Sequence, residues 1–162
     1  MPNHFRTGSQ DNVSKSKTSS TTVKQGRRYE YGASSRKITF NDPLKAKEYF
    51  ALKDKYIMGP QELHFLLQEQ PDLIHIVDVR QMEDYAKGHL PGAINLPQEQ
   101  WKIGSGLKKD KINVIYCYNL ECPLAAKAAT EFATKGYSVM ELVGGFKSWQ
   151  DGNYEIERQV HH

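Results

Sequence analysis

The sequence predicts an α/β protein: one domain built on an open, parallel, five-stranded sheet with helices on both faces. Two observations lead there. From residue 41 onward, five short strand-forming segments alternate with segments of helical apolar spacing, the order expected of a parallel sheet joined by helical crossovers. The segment LIHIVDV, Leu73 to Val79, is apolar almost throughout, as strands covered on both faces are. At 162 residues the chain is long enough for one real core and short for two.

The elements follow in order. NDPLKAKEYFALK offers Asn41 or Asp42 as a helix cap, with Pro43 in the first turn, where its missing N–H costs nothing. KYIMGP reads as a short strand ended by Gly59 and Pro60. In QELHFLLQEQ, Leu63, Leu66 and Leu67 share one helical face. After the strand at 73–79 come a brief helix, QMEDYAKG, a turn at HLPG, a short strand AINL and a helical turn PQEQW. GSGLKKDK loops into the strand INVIY. The next helix, Pro123 to Lys135, gathers Ala125, Ala128, Ala129 and Phe132 in one apolar stripe and stops at Gly136. SVMELV is the last strand, and GGFKSWQDGN is a turn followed by a final short helix.

Residues 1–40 hold eight Lys or Arg against Asp11 and Glu30. The formal charge of +3 therefore divides into a basic tail and a mildly acidic body. The tail is polar and lacks apolar periodicity, so burial cannot offset its ordering entropy, and disorder is expected. Its Ser, Thr and basic content resembles that of organelle transit peptides, without their amphipathic apolar face. The domain plan is thus a tail at 1–40, a folded domain at 41–157 and a short C-terminal tail at 158–162. An acidic body argues against nucleic acid as the partner. No apolar run approaches a membrane span and the N-terminus has no secretory apolar core, so no membrane association is expected. Two cysteines are too few for a disulfide scaffold, which favours a reducing, cytoplasmic setting. His161 and His162 alone do not make a metal site, and no cofactor is implied.

The two thiols bracket one loop. Cys117 follows INVIY directly, and Cys122 stands just before Pro123 and a helix. In open parallel sheets the reactive site lies at the carboxyl ends of the strands, and this is where Cys117 falls. A thiolate is the reactive form, and a free cysteine near pKa 8.5 needs help to reach it. Backbone N–H groups of a loop winding into a helix N-terminus can give that help without a histidine. None of His64, His75 or His89 lies in this loop. The plainer alternative is that Cys117 is a small buried hydrophobe and Cys122 a packing residue.

These residues resemble the rhodanese, or thiosulfate sulfurtransferase, domain family over about residues 56–157. The resemblance rests on IVDVRQMEDYAKGHLPGAINLP, on a cysteine closing the next core strand in VIYC, and on LVGGFKSW. It implies that Cys117 accepts a sulfane sulfur from a small donor such as thiosulfate or a persulfide. As a persulfide, Cys117 then passes the sulfur to a thiol, to cyanide or to a protein acceptor. It further implies that Tyr118, Asn119, Leu120, Glu121, Cys122 and Pro123 form the substrate loop, that Asp78 and Arg80 brace it, and that Gly144, Gly145 and Trp149 are structural. Bland roles are also open: Asp78 as a turn cap, Arg80 as a surface charge, the glycines as a simple turn. The loop departs from the family pattern, approximately C-R-S-G-x-R, by lacking both its glycine and its closing arginine. Cys122 occupies the arginine's place and Glu121 adds a negative charge. Three functions stay in view: a sulfurtransferase, a non-catalytic regulatory or binding module of this fold, and a thiol redox protein using Cys117 with Cys122. Phosphatase or arsenate reductase chemistry is set aside, because no arginine closes the loop around an oxyanion.

Overall fold

The computed structural model describes residues 40–159. The expected tail, Phe40 excepted, and the last three residues of the chain lie outside them. Among the described residues five helices alternate with five strands as the sequence predicts, except that the third and fourth strands are joined by a 3₁₀ turn, one of three such turns. In chain order they are α1 (Pro43–Leu52), β1 (Ile57–Met58), α2 (Pro60–Glu69), β2 (Ile74–Asp78), α3 (Met82–Lys87), β3 (Ile94–Asn95), β4 (Ile112–Tyr116), α4 (Leu124–Thr134), β5 (Val139–Leu142) and α5 (Gly145–Asp151). The sheet runs β1-β5-β4-β2-β3, and every neighbouring pair is parallel.

Side chains on a strand alternate between the two faces, and the core divides accordingly. Ile74 and Ile76 of β2 and Val114 and Tyr116 of β4 pack on one face with Leu63 of α2, Tyr85 of α3 and Trp149 of α5. Val77, Val79, Ile115 and Cys117 point to the other face, against Ala125, Ala128 and Phe132 of α4 and Trp101. Ala129, expected in the same stripe, is only half-buried. The central strands carry apolar residues on both sides because both faces are covered.

Several expected features are found at named atoms. The Asp42 carboxylate accepts from Leu44 N at 2.9 Å and caps α1, with Pro43 in its first turn. Gly59 and Pro60 end β1 and begin α2. PQEQW contributes only the 3₁₀ turn Gln98–Gln100, and AINL shortens to a two-residue strand. α1 has strong local signals in its cap and proline, and none of its residues is fully buried. The C-terminal segment is held beyond residue 157: His89 and Glu157 exchange backbone hydrogen bonds at 2.9 Å, and Gln159 N donates to Ala86 O at 3.1 Å. Among the described residues no helix is long and apolar enough to cross a membrane.

Phe132 is completely buried and meets Trp101 edge to face, ring centroids 6.0 Å apart. Truncation there leaves a cavity beneath the sheet. Phe132→Ala is expected to lower unfolding free energy by about 3–5 kcal/mol, seen as a lower midpoint in urea with an unchanged slope.

Candidate active site

The register sets the position of the sulfur. Asp78 of β2 pairs with Tyr116 of β4, and Val79 N donates to Tyr116 O at 3.0 Å. Cys117 is therefore the first residue past the paired end of a central strand, at the carboxyl edge of the sheet. It is 1% exposed.

Asp78 and Arg80, with the strand end between them, are both buried, at 0% and 3% exposure. Arg80 Nε donates to both Asp78 oxygens at 3.0 and 3.1 Å, and Nη2 donates to Oδ2 at 2.6 Å. The same Nη2 reaches Gly88 O at 2.6 Å. Asp78 also accepts from Arg80 N at 2.9 Å, so it caps the turn and pairs the cation at once. Arg80 is not a surface charge. Its guanidinium lies over the Phe146 ring, 4.0 Å from the centroid, with the Tyr116 and Tyr118 rings at 5.5 and 5.7 Å. Burial works against this cation, but the bonds and charge of Asp78 outweigh it and raise the Arg80 pKa above its ordinary value. Burial, then the Asp78 charge, pushes the Tyr116 phenol far above its usual range. Tyr116 thus stays neutral and its oxygen accepts from Leu90 N at 3.1 Å.

The start of α5 fixes the backbone at Cys117. Phe146 N donates to Cys117 O at 2.8 Å and Lys147 N to Tyr118 O at 2.9 Å. Gly144 and Gly145 both have positive φ, +77° and +58°. A Cβ on Gly145 would lie 2.5 Å from Cys117 O. Gly145 is therefore required by a backbone approach at the site, beyond any role as a turn.

The loop itself is internally bonded. Asn119 accepts from Glu121 N through its side chain at 3.0 Å and from Cys122 N through its carbonyl at 3.2 Å. Tyr118 donates its hydroxyl to Asp84 Oδ2 at 2.8 Å. That bond, with the Lys87 ammonium next, holds the Asp84 carboxyl below the usual carboxylate range. Leu120 is exposed, at 75%, and a shallow pocket of about 400 Å³ opens between Leu120, Glu121, Gly144 and Lys147. Pro123 immediately precedes α4. The amides of Glu121 and Cys122 are thus turned to Asn119 in this conformation, and the Cys122 carbonyl oxygen lies 3.4 Å from the Cys117 sulfur. Cys117 and Cys122 are paired as a disulfide, their Cα atoms 6.5 Å apart, within the range such a bond requires.

The structure brings together every residue singled out from the sequence: Cys117, the loop from Tyr118 to Pro123, Asp78 and Arg80. Trp149, buried below, donates from Nε1 to Glu155 O at 2.7 Å. Sequence reasoning missed Phe146 and Asn95. The Asn95 side-chain amide donates to Asp78 O at 3.1 Å and Arg80 O at 2.9 Å, holding the turn from the next strand. Both residues stand inside quoted motifs, but nothing in local spacing says what they touch. The described histidines lie elsewhere: His64 stacks on Tyr154, His89 stacks on Tyr85, and His75 is near Gly106. Among the described residues no group of three or more His, Cys, Asp or Glu could hold a metal ion.

A parallel sheet with a buried cysteine at its carboxyl edge and a short loop closing over it agrees with the comparison of the chain with known families. The chain belongs to the rhodanese-like domain family, whose model matches residues 59–152. It is 36% identical over 78 residues to the HTH-type transcriptional regulator Rv0324 of Mycobacterium tuberculosis, covering 48% of this chain and 34% of that one. It is 29% identical over 111 residues to the adenylyltransferase and sulfurtransferase UBA4 of Candida albicans, covering 62% and 24%. The chain thus spans about a third or less of the length of these curated relatives. The crystal structure of BH2092 protein from Bacillus halodurans superposes with a TM-score of 0.64 at 32% identity, covering 73% of this chain and 88% of that one.

Two outcomes check the geometry of the site. Asp78→Asn and Arg80→Met are each expected to cost about 3–5 kcal/mol in denaturant unfolding, because each strands a buried charge, while the double replacement costs less than their sum. Gly145→Ala is expected to lower the melting temperature by several degrees, since both the Cβ clash with the Cys117 carbonyl and the positive φ oppose it.

Proposed function

We propose that the protein is a sulfurtransferase that carries a sulfane sulfur as a persulfide on Cys117. The observation that carries this reading is the place of Cys117: the end of a central parallel strand, its carbonyl pinned by α5 and its flanking loop backed by the buried Asp78–Arg80 pair. A nucleophile gains most from a rigid support that holds it in reacting geometry. The Cys117 thiolate attacks the outer sulfur of thiosulfate, sulfite leaves with the bonding pair, and the sulfur remains on Cys117. A thiol, cyanide or a cysteine of a protein acceptor then takes that sulfur and restores the thiolate. The naming of the Candida albicans relative as a sulfurtransferase supports the reaction class.

The loop sets the rate. With Cys117 at 1% exposure, a donor reaches the sulfur only when the loop opens. No Lys or Arg stands between Tyr118 and Pro123, and Lys147 at the adjoining pocket is paired with Asp151, so the loop itself gives an anionic donor none of the charge-assisted bonds that bind oxyanions best. Thiosulfate turnover is therefore slow, and an uncharged or protein-bound persulfide suits the site better. The same missing cation favours the second reading, a non-catalytic binding or regulatory module. One experiment separates the two: intact mass of the reduced protein after exposure to thiosulfate or to a small persulfide. With Cys122 replaced by serine, so that Cys117 is the one thiol of the chain, the protein is expected to gain one sulfur, and with Cys117→Ser added none. Equal uptake by both, or uptake by neither from any donor, would falsify the sulfurtransferase reading.

A further inference from the structure

Cys122 lacks a role in the transfer just described, yet its sulfur is placed against the one that performs it. The two Cα atoms are 6.5 Å apart and the sulfurs are paired. The two residues differ in access, Cys117 being 1% exposed and Cys122 half-buried at the loop surface. The loop reaches this arrangement through its own bonds, with Asn119 holding the Glu121 and Cys122 amides, while the Cys117 backbone is fixed from beneath by Phe146. Cys122 thus stands on the outer segment and Cys117 on the one anchored to α5.

We propose that Cys122 is a second catalytic cysteine, which discharges the Cys117 persulfide as hydrosulfide and so makes the protein a dithiol-dependent sulfide-releasing enzyme. The inference rests on the persulfide reading above. The Cys122 thiolate attacks the inner sulfur of the persulfide, the Cys117 Sγ. The bond from that Sγ to the outer sulfur breaks, the outer sulfur leaves with the electron pair as hydrosulfide, and a Cys117–Cys122 disulfide remains. The two cysteines are oxidised and the sulfane sulfur is reduced, so no outside oxidant is needed. Recovery needs a reductant of the dithiol class. Its first thiolate attacks the more accessible sulfur, that of Cys122, and expels Cys117 as the thiolate. Its second thiol then closes the reductant's own disulfide and frees Cys122. Access alone sets this order, and the order returns the nucleophile in its reactive form.

The geometry also says why the acceptor position is occupied from within. The closed loop covers Cys117, so a bulky acceptor cannot approach the loaded sulfur until the loop opens, whereas Cys122 is already on the covering segment. Effective concentration favours such an intramolecular attack over any dilute thiol.

The test loads the reduced, thiol-free protein with the same persulfide or with thiosulfate, and follows hydrosulfide and intact mass together. In the wild type, hydrosulfide is expected to appear without added thiol, in step with a protein two hydrogens lighter than the reduced form. Added dithiothreitol then makes release catalytic. Cys122→Ser is expected to load, to keep its extra sulfur, and to release hydrosulfide only at the background rate until a thiol is supplied; Cys122→Ala, checked for folding by thermal melting, is expected to do the same. Wild type that keeps its sulfur beside a Cys122→Ser protein that also loads overturns this inference alone. Release from Cys122→Ser at the wild-type rate overturns it too. If Cys122→Ser and Cys122→Ala fold and neither takes up sulfur, the persulfide reading itself falls, and this inference with it.

Discussion

The buried Asp78–Arg80 pair is the interaction on which the site depends. A charge taken out of water costs several kcal/mol unless its partner and its remaining hydrogen-bond sites are supplied together. Here they are: Arg80 meets both carboxylate oxygens and the Gly88 carbonyl, and its flat face lies on Phe146. Each contact belongs to a different part of the fold. Asp78 ends β2, Gly88 ends α3, Phe146 opens α5 and Tyr116 ends β4. One cation therefore fixes the relative position of four chain segments that converge at the carboxyl edge of the sheet. A lysine could not replace it, because the planar fork makes the bidentate contacts and the ring stacking at the same time.

The second constraint is steric. The two left-handed glycines turn β5 into α5 so closely that the helix start bonds the Cys117 and Tyr118 carbonyls. The nucleophile's backbone is held from both sides, by the sheet behind it and by α5 below. The loop above is held less firmly, by its own Asn119 turn and by the Tyr118–Asp84 bond near the surface. Support beneath comes from the sheet and α5, and the cover above from a loop bonded mainly to itself.

That cover departs from the pattern the family resemblance leads one to expect. Leu120 stands where the family pattern has glycine, Glu121 adds a negative charge beside it, and a thiol takes the closing position. The loop thereby carries a second thiol where the pattern has a cation. Cys122 fills the place of the arginine in sequence and meets Cys117 in space. The two accounts of Cys122 that the sequence leaves open, packing residue and partner of Cys117, thus differ in what the sulfur touches, and the structure places sulfur against sulfur.

The alternation of strands and helices was legible in the chain because period-two and period-3.6 patterning is local. So were the Asp42 cap, the stripe on α4 and the place of Cys117 at a strand end, each depending on neighbours within a few residues. The boundaries at AINL and PQEQW were less so: a strand of two residues and a single 3₁₀ turn carry too little pattern to fix their ends. What local patterning did not reach was contact across the sheet. Nothing in the spacing says that Arg80 lies on Phe146, that Asn95 holds the turn between Asp78 and Arg80, or that Gly145 approaches the Cys117 carbonyl. These depend on parallel register and crossover order, which bring together residues up to sixty-six positions apart. The sequence by itself determined that a thiol stands at the carboxyl edge of a parallel sheet, since the alternation of strands with helices and the end of the INVIY strand are written in apolar periodicity. Only the tertiary structure decided what surrounds that thiol, because burial, charge pairing and the meeting of two sulfurs are properties of packed segments and not of any one of them.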